Sequence, residues 1–430
     1  MDKVTFFSNL PNSWLPNYDQ RFGASVGIDI GASKAQGTIR GYAASDDGEH
    51  QVAIKGYDGQ VSRHLLHSPT QFVEKVSEHI VEALKRLSIK SNRAQEYIQR
   101  LVIMIPGLND RTTAEPANIM RSDGKKIGLI DFGNIKSYLQ NAGIQVAKKF
   151  NFSLLIDTHG SAAVVARKLI QEGRLLPGRR ALLIMTGGGL GSVEIDHQKD
   201  NILLRVFRGA STPMQNQQAI IEEFGASAPS LRRNFAEALG VKGTQLTQFI
   251  QEGNTEAVTN FTKAKKIMQP LLKKPLTEDE YLKAAKAALT AYLDSLGYLI
   301  AISARDPSLQ TVVLNGKVAE GMEAFIEKYP ELYEEEMKSL LKWPPSVSAL
   351  AERQNKLMKK VLIKKVLDHE VGISRKKLLD DITREKPGFQ IISDIDVSEN
   401  TEGIPWLLEG EAIDPDHPFW FQIPLKKMNV

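Results

Sequence analysis

Two glycine-rich turns, each at the end of a short apolar run, limit this chain to a narrow set of folds. Ser25-Val26-Gly27-Ile28 runs into Asp29-Ile30-Gly31-Ala32-Ser33-Lys34. Ala181-Leu182-Leu183-Ile184-Met185 runs into Thr186-Gly187-Gly188-Gly189-Leu190-Gly191-Ser192. Short apolar runs bounded by turn residues read as buried strands. Glycine at such a turn lets the backbone take φ > 0 and approach a ligand closely. Successive N–H groups then converge on anionic oxygens, as in other anion-binding nests. A third run, Phe152 to Ile156, ends on Asp157 between the two turns. Together they point to a nucleotide held between two domains.

The rest of the chain repeats one plan twice. After the first turn the pattern is strand, strand, then a helix from Thr70 to Ile89 with apolar residues at helical spacing, such as Phe72, Val76, Ile80 and Leu84. Leu101–Ile105 is a buried strand stopped by Pro106-Gly107, and Gly160 to Ile170 reads as a helix behind Asp157. After the second turn come strands Gly191–Ile195 and Ile202–Phe207, long helical patterns over 214–306, and a strand Thr311–Leu314 ending at Asn315-Gly316. Alternating strands and helices in two similar halves indicate an α/β architecture. Beyond Trp343, residues 353–377 interleave Lys356, Lys359, Lys360, Lys364 and Lys365 with Leu357, Val361, Leu362 and Val366. That spacing predicts an amphipathic basic helix with a solvated face; a membrane-surface or partner-binding helix is the sharper alternative.

Composition removes several classes. The 430 residues suffice for two or three domains with their own cores. A net charge of +4 is small for that length, so non-specific nucleic-acid binding is not implied. With no cysteine there is no disulfide, thiolate metal site or cysteine nucleophile. No apolar run reaches transmembrane length and no signal-type h-region opens the chain, so a cytoplasmic protein is the expectation. Oligomeric state is open, a homo-oligomer included.

The order of motifs resembles the actin–hexokinase–chaperone ATPase superfamily, and within it the ROK family of sugar kinases and repressors. Gly27 to Lys34 is similar to that family's first phosphate loop, Gly-Ile-Asp-Ile-Gly-Gly-Thr-Lys. Val102 to Asp110 resembles its strand ending in Pro-Gly, and Ile156 to Ala163 its catalytic Asn-Asp-Ala-Asn-Ala-Ala segment. Thr186 to Gly191 resembles the second phosphate loop, and Val312 to Ala319 the adenosine-side strand and turn. The resemblance implies a duplicated ribonuclease-H-like, actin/hexokinase-type, two-lobe α/β fold with a C-terminal helical appendix. The expected divisions are an irregular arm over 1–24, lobes over 25–168 and 169–343, and a basic helical appendix over 344–430.

The same resemblance implies ATP, Mg²⁺ and a sugar. Asp157 takes the place of the general base, and also touches the substrate. Asp29 takes that of the residue organising Mg²⁺, which uses few carboxylates and keeps several waters. Gly31, Ala32, Ser33 and Lys34 become the first set of phosphate donors. Thr186, Gly187, Gly188, Gly189 and Gly191 form the second, with Gly316 facing adenosine. Asn118, beyond the Pro-Gly turn, matches the family's sugar-binding asparagine.

The pattern is broken in three places. Where sugar kinases of the family carry Glu-x-Gly-His and then a cysteine-rich zinc segment, this chain has Arg208 to Asn216 with neither glutamate nor histidine. Ile156 replaces the asparagine before the aspartate, and Asn315-Gly316-Lys317 replaces a triple-glycine turn. A non-catalytic nucleotide- or sugar-binding regulator of the same fold is therefore the alternative, and hydrolysis of ATP by water a third reading. Repressors of the family carry a DNA-binding domain ahead of the first loop; residues 1–24 are too few for one, so that role is not the expectation. Asp157 equally suits a helix N-cap, which is compatible with catalysis. His159 reads as a packing or hydrogen-bonding residue. Ser211, Thr212, Gln215 and Asn216 fit either substrate contacts or a polar loop.

Overall fold

The first apolar run becomes β1 (Ala24–Ala32), on which Val26 and Ile28 are fully buried. The structure, a computed structural model, describes residues 24–32, 36–46, 51–62, 69–91, 98–105, 113–114, 130–187, 190–208, 226–252, 254–304, 306–340, 342, 345–369, 389–395, 400–413 and 420–428. Ser33, Lys34, Asn118, Gly188, Gly189 and the stretch 209–225 lie outside the described residues.

Strand β1 pairs antiparallel with β2 (Gln36–Asp46), which pairs with β3 (Gln51–Ser62). On its other side β1 runs parallel to β4 (Ile98–Ile105), and β4 runs parallel to β7 (Val146–Ile156). A short ladder, β5 (Thr113–Ala114) with β6 (Ile130–Asp131), stands apart. Helices α1 (Pro69–Ser91), α2 (Ile135–Asn141) and α3 (Thr158–Gln171) follow the strands. The central strands are apolar on both faces, as parallel strands covered by helices must be.

A second sheet repeats this plan. In it β8 (Arg179–Thr186) pairs antiparallel with β9 (Leu190–His197) and parallel with β11 (Leu309–Asn315). Strand β12 (Gln390–Ile392) adds in parallel to β11. The long helix α8 (Glu278–Ser303) opens with a capping box between Thr277 and Glu280 and three acids in its first turn, which satisfy free N–H groups and the helix dipole. Its Tyr281 ring packs against Phe235, Phe261 and Phe325 at centroid distances of 5.2 to 6.2 Å. Around it lie α4 (Ala228–Ala238), α5 (Gly243–Glu252), α6 (Glu256–Thr259), α7 (Phe261–Leu272) and α9 (Lys317–Lys328). Then follow α10 (Glu334–Leu340), α11 (Pro345–Glu352) and α12 (Leu357–Asp368).

The chain divides into two units. Unit 1 takes Met1–Arg167, Asp200–Thr212 and Glu399–Val430; unit 2 takes Lys168–Lys199 and Pro213–Ser398. Residues 344–430, expected as a helical appendix, are thus shared between the units, and they add strands as well as helices. In unit 1, β10 (Asn201–Arg208) pairs with β14 (Trp420–Pro424), which pairs with β13 (Glu411–Ala412). A 3₁₀ turn (Asn400–Gly403), α13 (Ile404–Leu407) and α14 (Leu425–Met428) complete it.

The basic helix is a core element of unit 2. On α12, Met358, Val361, Leu362, Ile363, Val366 and Leu367 are buried, and so is Lys359. Gly297 of α8 admits α12 closely, since a Cβ there would lie 2.7 Å from the Lys365 Cβ. Lys365 reaches Asp294 at 2.8 Å. Over Leu357–Asp368 the solvated face is small because the lysine stems lie along apolar surface; residues 370–377 of the expected basic stretch lie outside the described residues. Among the described residues no helix is long and apolar enough to cross a membrane.

Candidate active site

Unit 1 brings two of the expected residues to one edge. Asp29 lies near the C-terminal end of β1, opposite Met104 of β4, and Met104 lies opposite Leu155 of β7. Asp157 follows the last residue of β7, and its N–H donates to the Ile105 carbonyl at 3.3 Å. Both carboxylates therefore sit at the carboxyl ends of parallel strands, where open α/β sheets hold their ligands. Asp29 is 6% exposed.

Asp157 immediately precedes α3, the N-cap place expected for it. Its carboxylate accepts from the Thr158 backbone, and its own carbonyl accepts from the Gly160 N–H at 3.2 Å. The helix N-terminus favours the charged form, but burial outweighs it and raises the carboxyl to about 6. Oδ1 is buried without a hydrogen-bond partner among the described residues. A carboxylate oxygen left unpartnered at a strand end is disposed to accept a proton from something that enters.

Thr158 is a neighbour that the sequence reading passed over. It is fully buried, and its Oγ1 also has no partner among the described residues. Its position beside Asp157 was the available signal. His159 is buried, with Nδ1 3.1 Å from the Ile156 carbonyl and its ring edge-on to Phe421 at 6.0 Å. The first contact is local and the second joins α3 to β14; both are structural.

Unit 2 brings together the start of the second glycine turn and the Asn315-Gly316 turn. Thr186 ends β8 opposite Leu190, the first residue of β9. The Gly187 carbonyl accepts from the Ala228 N–H at 2.9 Å, where α4 begins, and Ser227 caps that helix. Asn315 ends β11 opposite Met185. Gly316 follows at φ +108° and ψ 150°, a region only glycine occupies without strain, and a Cβ there would lie 2.5 Å from the Thr186 carbonyl oxygen. Tyr292 reaches the same place from α8, its hydroxyl 3.4 Å from Thr186 Oγ1; burial raises its pKa. Nothing in the sequence singles out Tyr292 among the apolar residues of that helix. Gly191 lies within β9 as a buried ladder residue. Gly31 and Ala32 close β1, opposite Thr38 and Gly37.

The donor set fits Mg²⁺ in one respect. A single buried carboxylate at a strand end suits an ion that draws most of its ligands from water and phosphate. Among the described residues no group of three or more acids, histidines or cysteines could hold a metal by itself.

No protein-family model matches the chain, and no curated protein sequence does. Solved structures do match in fold. The glucokinase of Balamuthia mandrillaris, in complex with glucose, is 11% identical, with a TM-score of 0.50 over 89% of this chain and 92% of that one. The glucokinase of Leishmania braziliensis is 14% identical over 89% and 92%, with a TM-score of 0.48. A ROK family glucokinase from Streptomyces griseus, in complex with glucose and AMPPNP, is 15% identical over 71% and 88%, with a TM-score of 0.38. With the doubled sheet plan, the first of these places the chain in the α/β, hexokinase-type two-lobe fold.

Proposed function

We propose that the chain is an ATP-dependent kinase of a hexose or hexose derivative, with Asp157 as general base. The observation that carries this reading is the unpartnered, desolvated Oδ1 of Asp157 at the carboxyl edge of the unit 1 sheet. Ionised, it takes the proton of a sugar hydroxyl. That oxygen forms a bond to the γ-phosphorus of ATP as the bond to the β–γ bridging oxygen breaks, and ADP leaves with the electron pair. Such a transfer needs positioning and charge neutralisation more than covalent chemistry from the protein. Asp29 would hold Mg²⁺, directly or through water, and the ion would neutralise phosphate charge. Gly31 and Ala32 with Ser33 and Lys34 are assigned to one side of the phosphates, Thr186 to Gly189 and Gly191 to the other, and Gly316 to adenosine. Asn118 remains the candidate sugar ligand.

The substitution of Arg208 to Asn216 for the usual sugar-reading glutamate and histidine favours a second reading, a regulator that binds nucleotide or sugar without turnover. Formation of ADP only when a sugar is supplied separates the two.

The pH dependence has a definite sign. A base with a carboxyl at about 6 is protonated below that value, so kcat/KM is expected to fall tenfold per pH unit below about pH 6 and level off above it. Stability runs the other way. The folded-state value lies above the ordinary 3.8, so this group favours the fold when protonated, and that contribution is lost as pH rises through about 6. Activity flat down to pH 4.5 would contradict the assignment.

The adenosine turn makes a second test. Gly316→Ala forces a side chain into a strained region and against Thr186. Strain of about 1–3 kcal/mol corresponds to a loss of nucleotide affinity of roughly five- to 150-fold if it is relieved by moving the turn. Titration calorimetry with ATP reads it; unchanged affinity in a folded variant would remove Gly316 from the nucleotide site.

A further inference from the structure

The C-terminal stretch Glu399–Val430 returns to the unit that carries both carboxylates, seated by one glycine of β1 and one of its own. Ile404 sits where a side chain at Gly27 would be: a Cβ built there would overlap Ile404 Cγ2 and lie 3.1 Å from its Cβ. Gly27 and Asp29 share a face of β1, because side chains alternate along a strand. One residue earlier, Gly403 lies against the first turn of α3. A Cβ on Gly403 would overlap the Gly160 carbonyl oxygen and lie 2.8 Å from its carbonyl carbon. Gly160 in turn donates to the Asp157 carbonyl.

The residues that hold this segment down come from α3 and from β4, the strand beside β1. Arg167 of α3 donates to the Met428 carbonyl at 3.1 Å and lies 5.1 Å over the Trp406 ring. Arg100 of β4 pairs with Glu409 at 2.6 Å and donates to the Leu408 carbonyl at 3.2 Å. Residues 400–407 therefore touch the strand of Asp29 and the helix start of Asp157 at adjacent positions.

We propose that Asn400–Leu407 is a positioning element that sets Asp29 and Asp157 relative to each other, with Gly403 and Ile404 as its positioning residues. This rests on the kinase reading for its consequence in turnover, but not for its geometry. Shifting Gly160 to clear a Cβ on Gly403 moves Asp157 directly, through the Gly160 N–H that donates to the Asp157 carbonyl.

The test compares Gly403→Ala, Ile404→Ala and Ile404→Val with Gly297→Ala, which crowds α8 against α12 in unit 2 and serves as a comparator for general destabilisation. Misplacement of a catalytic group by about 1 Å costs on the order of 100-fold, so Gly403→Ala is expected to lower kcat about that much while KM for ATP changes less than about twofold. Ile404→Val, which keeps most of the contact, is expected to stay within about threefold of wild type, and Ile404→Ala is not. Amide exchange over 157–161, read on the full chain, is expected to speed up in Gly403→Ala and Ile404→Ala but not in Gly297→Ala. Unchanged exchange there, or a kcat loss no greater than that of Gly297→Ala, would overturn the proposal. If the wild type forms no ADP with any sugar, the kinase reading fails, and the exchange data alone decide whether the segment positions Asp157.

Discussion

Asp157→Asn is expected to lower kcat by about three orders of magnitude, within the 10²–10⁴ range of a positioned general base, with nucleotide affinity changed less than about twofold. Asparagine keeps the size and the ability to accept from the Thr158 backbone, so α3 should start where it does now. It has no basic oxygen to take the hydroxyl proton. Because burial penalises the charge of Asp157, the variant is also expected to melt at a higher temperature than wild type near pH 7, where wild type is ionised. Loss of activity together with gained stability separates a lost base from a damaged fold. Retained turnover would remove Asp157 from the chemistry. Loss of turnover with a lower melting temperature would make it a structural cap.

Arg180→Ala is expected to carry the largest stability effect. Arg180 and Glu194 are diagonal partners across β8 and β9, with side chains only 9% and 5% exposed and Nη1 2.7 Å from Oε2. Arg180 also donates from Nε to Ser308 Oγ at 2.8 Å and reaches Asp306 with Nη2 at 3.1 Å. Asp306 is half exposed, so that contact adds little. Removing one member of a buried pair costs about 3–5 kcal/mol, because the other charge stays in a poor solvent. The pair bridges the strands on either side of the second glycine turn, so the loss falls on the element that presents the turn. Chemical denaturation measures it. Arg180→Met combined with Glu194→Leu is expected to recover most of the loss, since two apolar residues replace a buried pair at little net cost. A loss below about 1 kcal/mol in Arg180→Ala would show that water already reaches the pair.

The parts of the fold legible in the sequence were those whose cause is local. Val26, Ile28, Val102, Ile103, Leu182 and Ile184 are buried on strands covered on both faces, and continuous apolar runs are the mark of that environment. Glycine turns and the aspartate at a strand end announced the edges where Thr186, Gly316, Asp29 and Asp157 stand. Long-range pairing left no such mark. Strands β12 and β14 are three and five residues long, and what makes them strands is β11 and β10, far away in sequence. The basic stretch looked solvated because charge is counted by residue, whereas Lys359 lies almost wholly inside, donating to Asn355 at 3.2 Å. Gly27 was read as part of a phosphate loop. Its missing side chain is also what admits Ile404, a use that no spacing rule reveals because the occupant lies at the other end of the chain. Tyr292 was missed for the same reason, since its significance is the company it keeps in space, whereas Thr158 had its signal in the sequence, its place beside Asp157.

The most direct measurement is ADP formation from ATP and Mg²⁺ across hexoses, amino sugars and N-acetylated sugars, with wild type beside Asp157→Asn. Turnover that appears only with a sugar, and is lost in the variant while ATP still binds, is the result expected here. ATP bound without turnover on any sugar, or ADP formed equally with water alone, would contradict it.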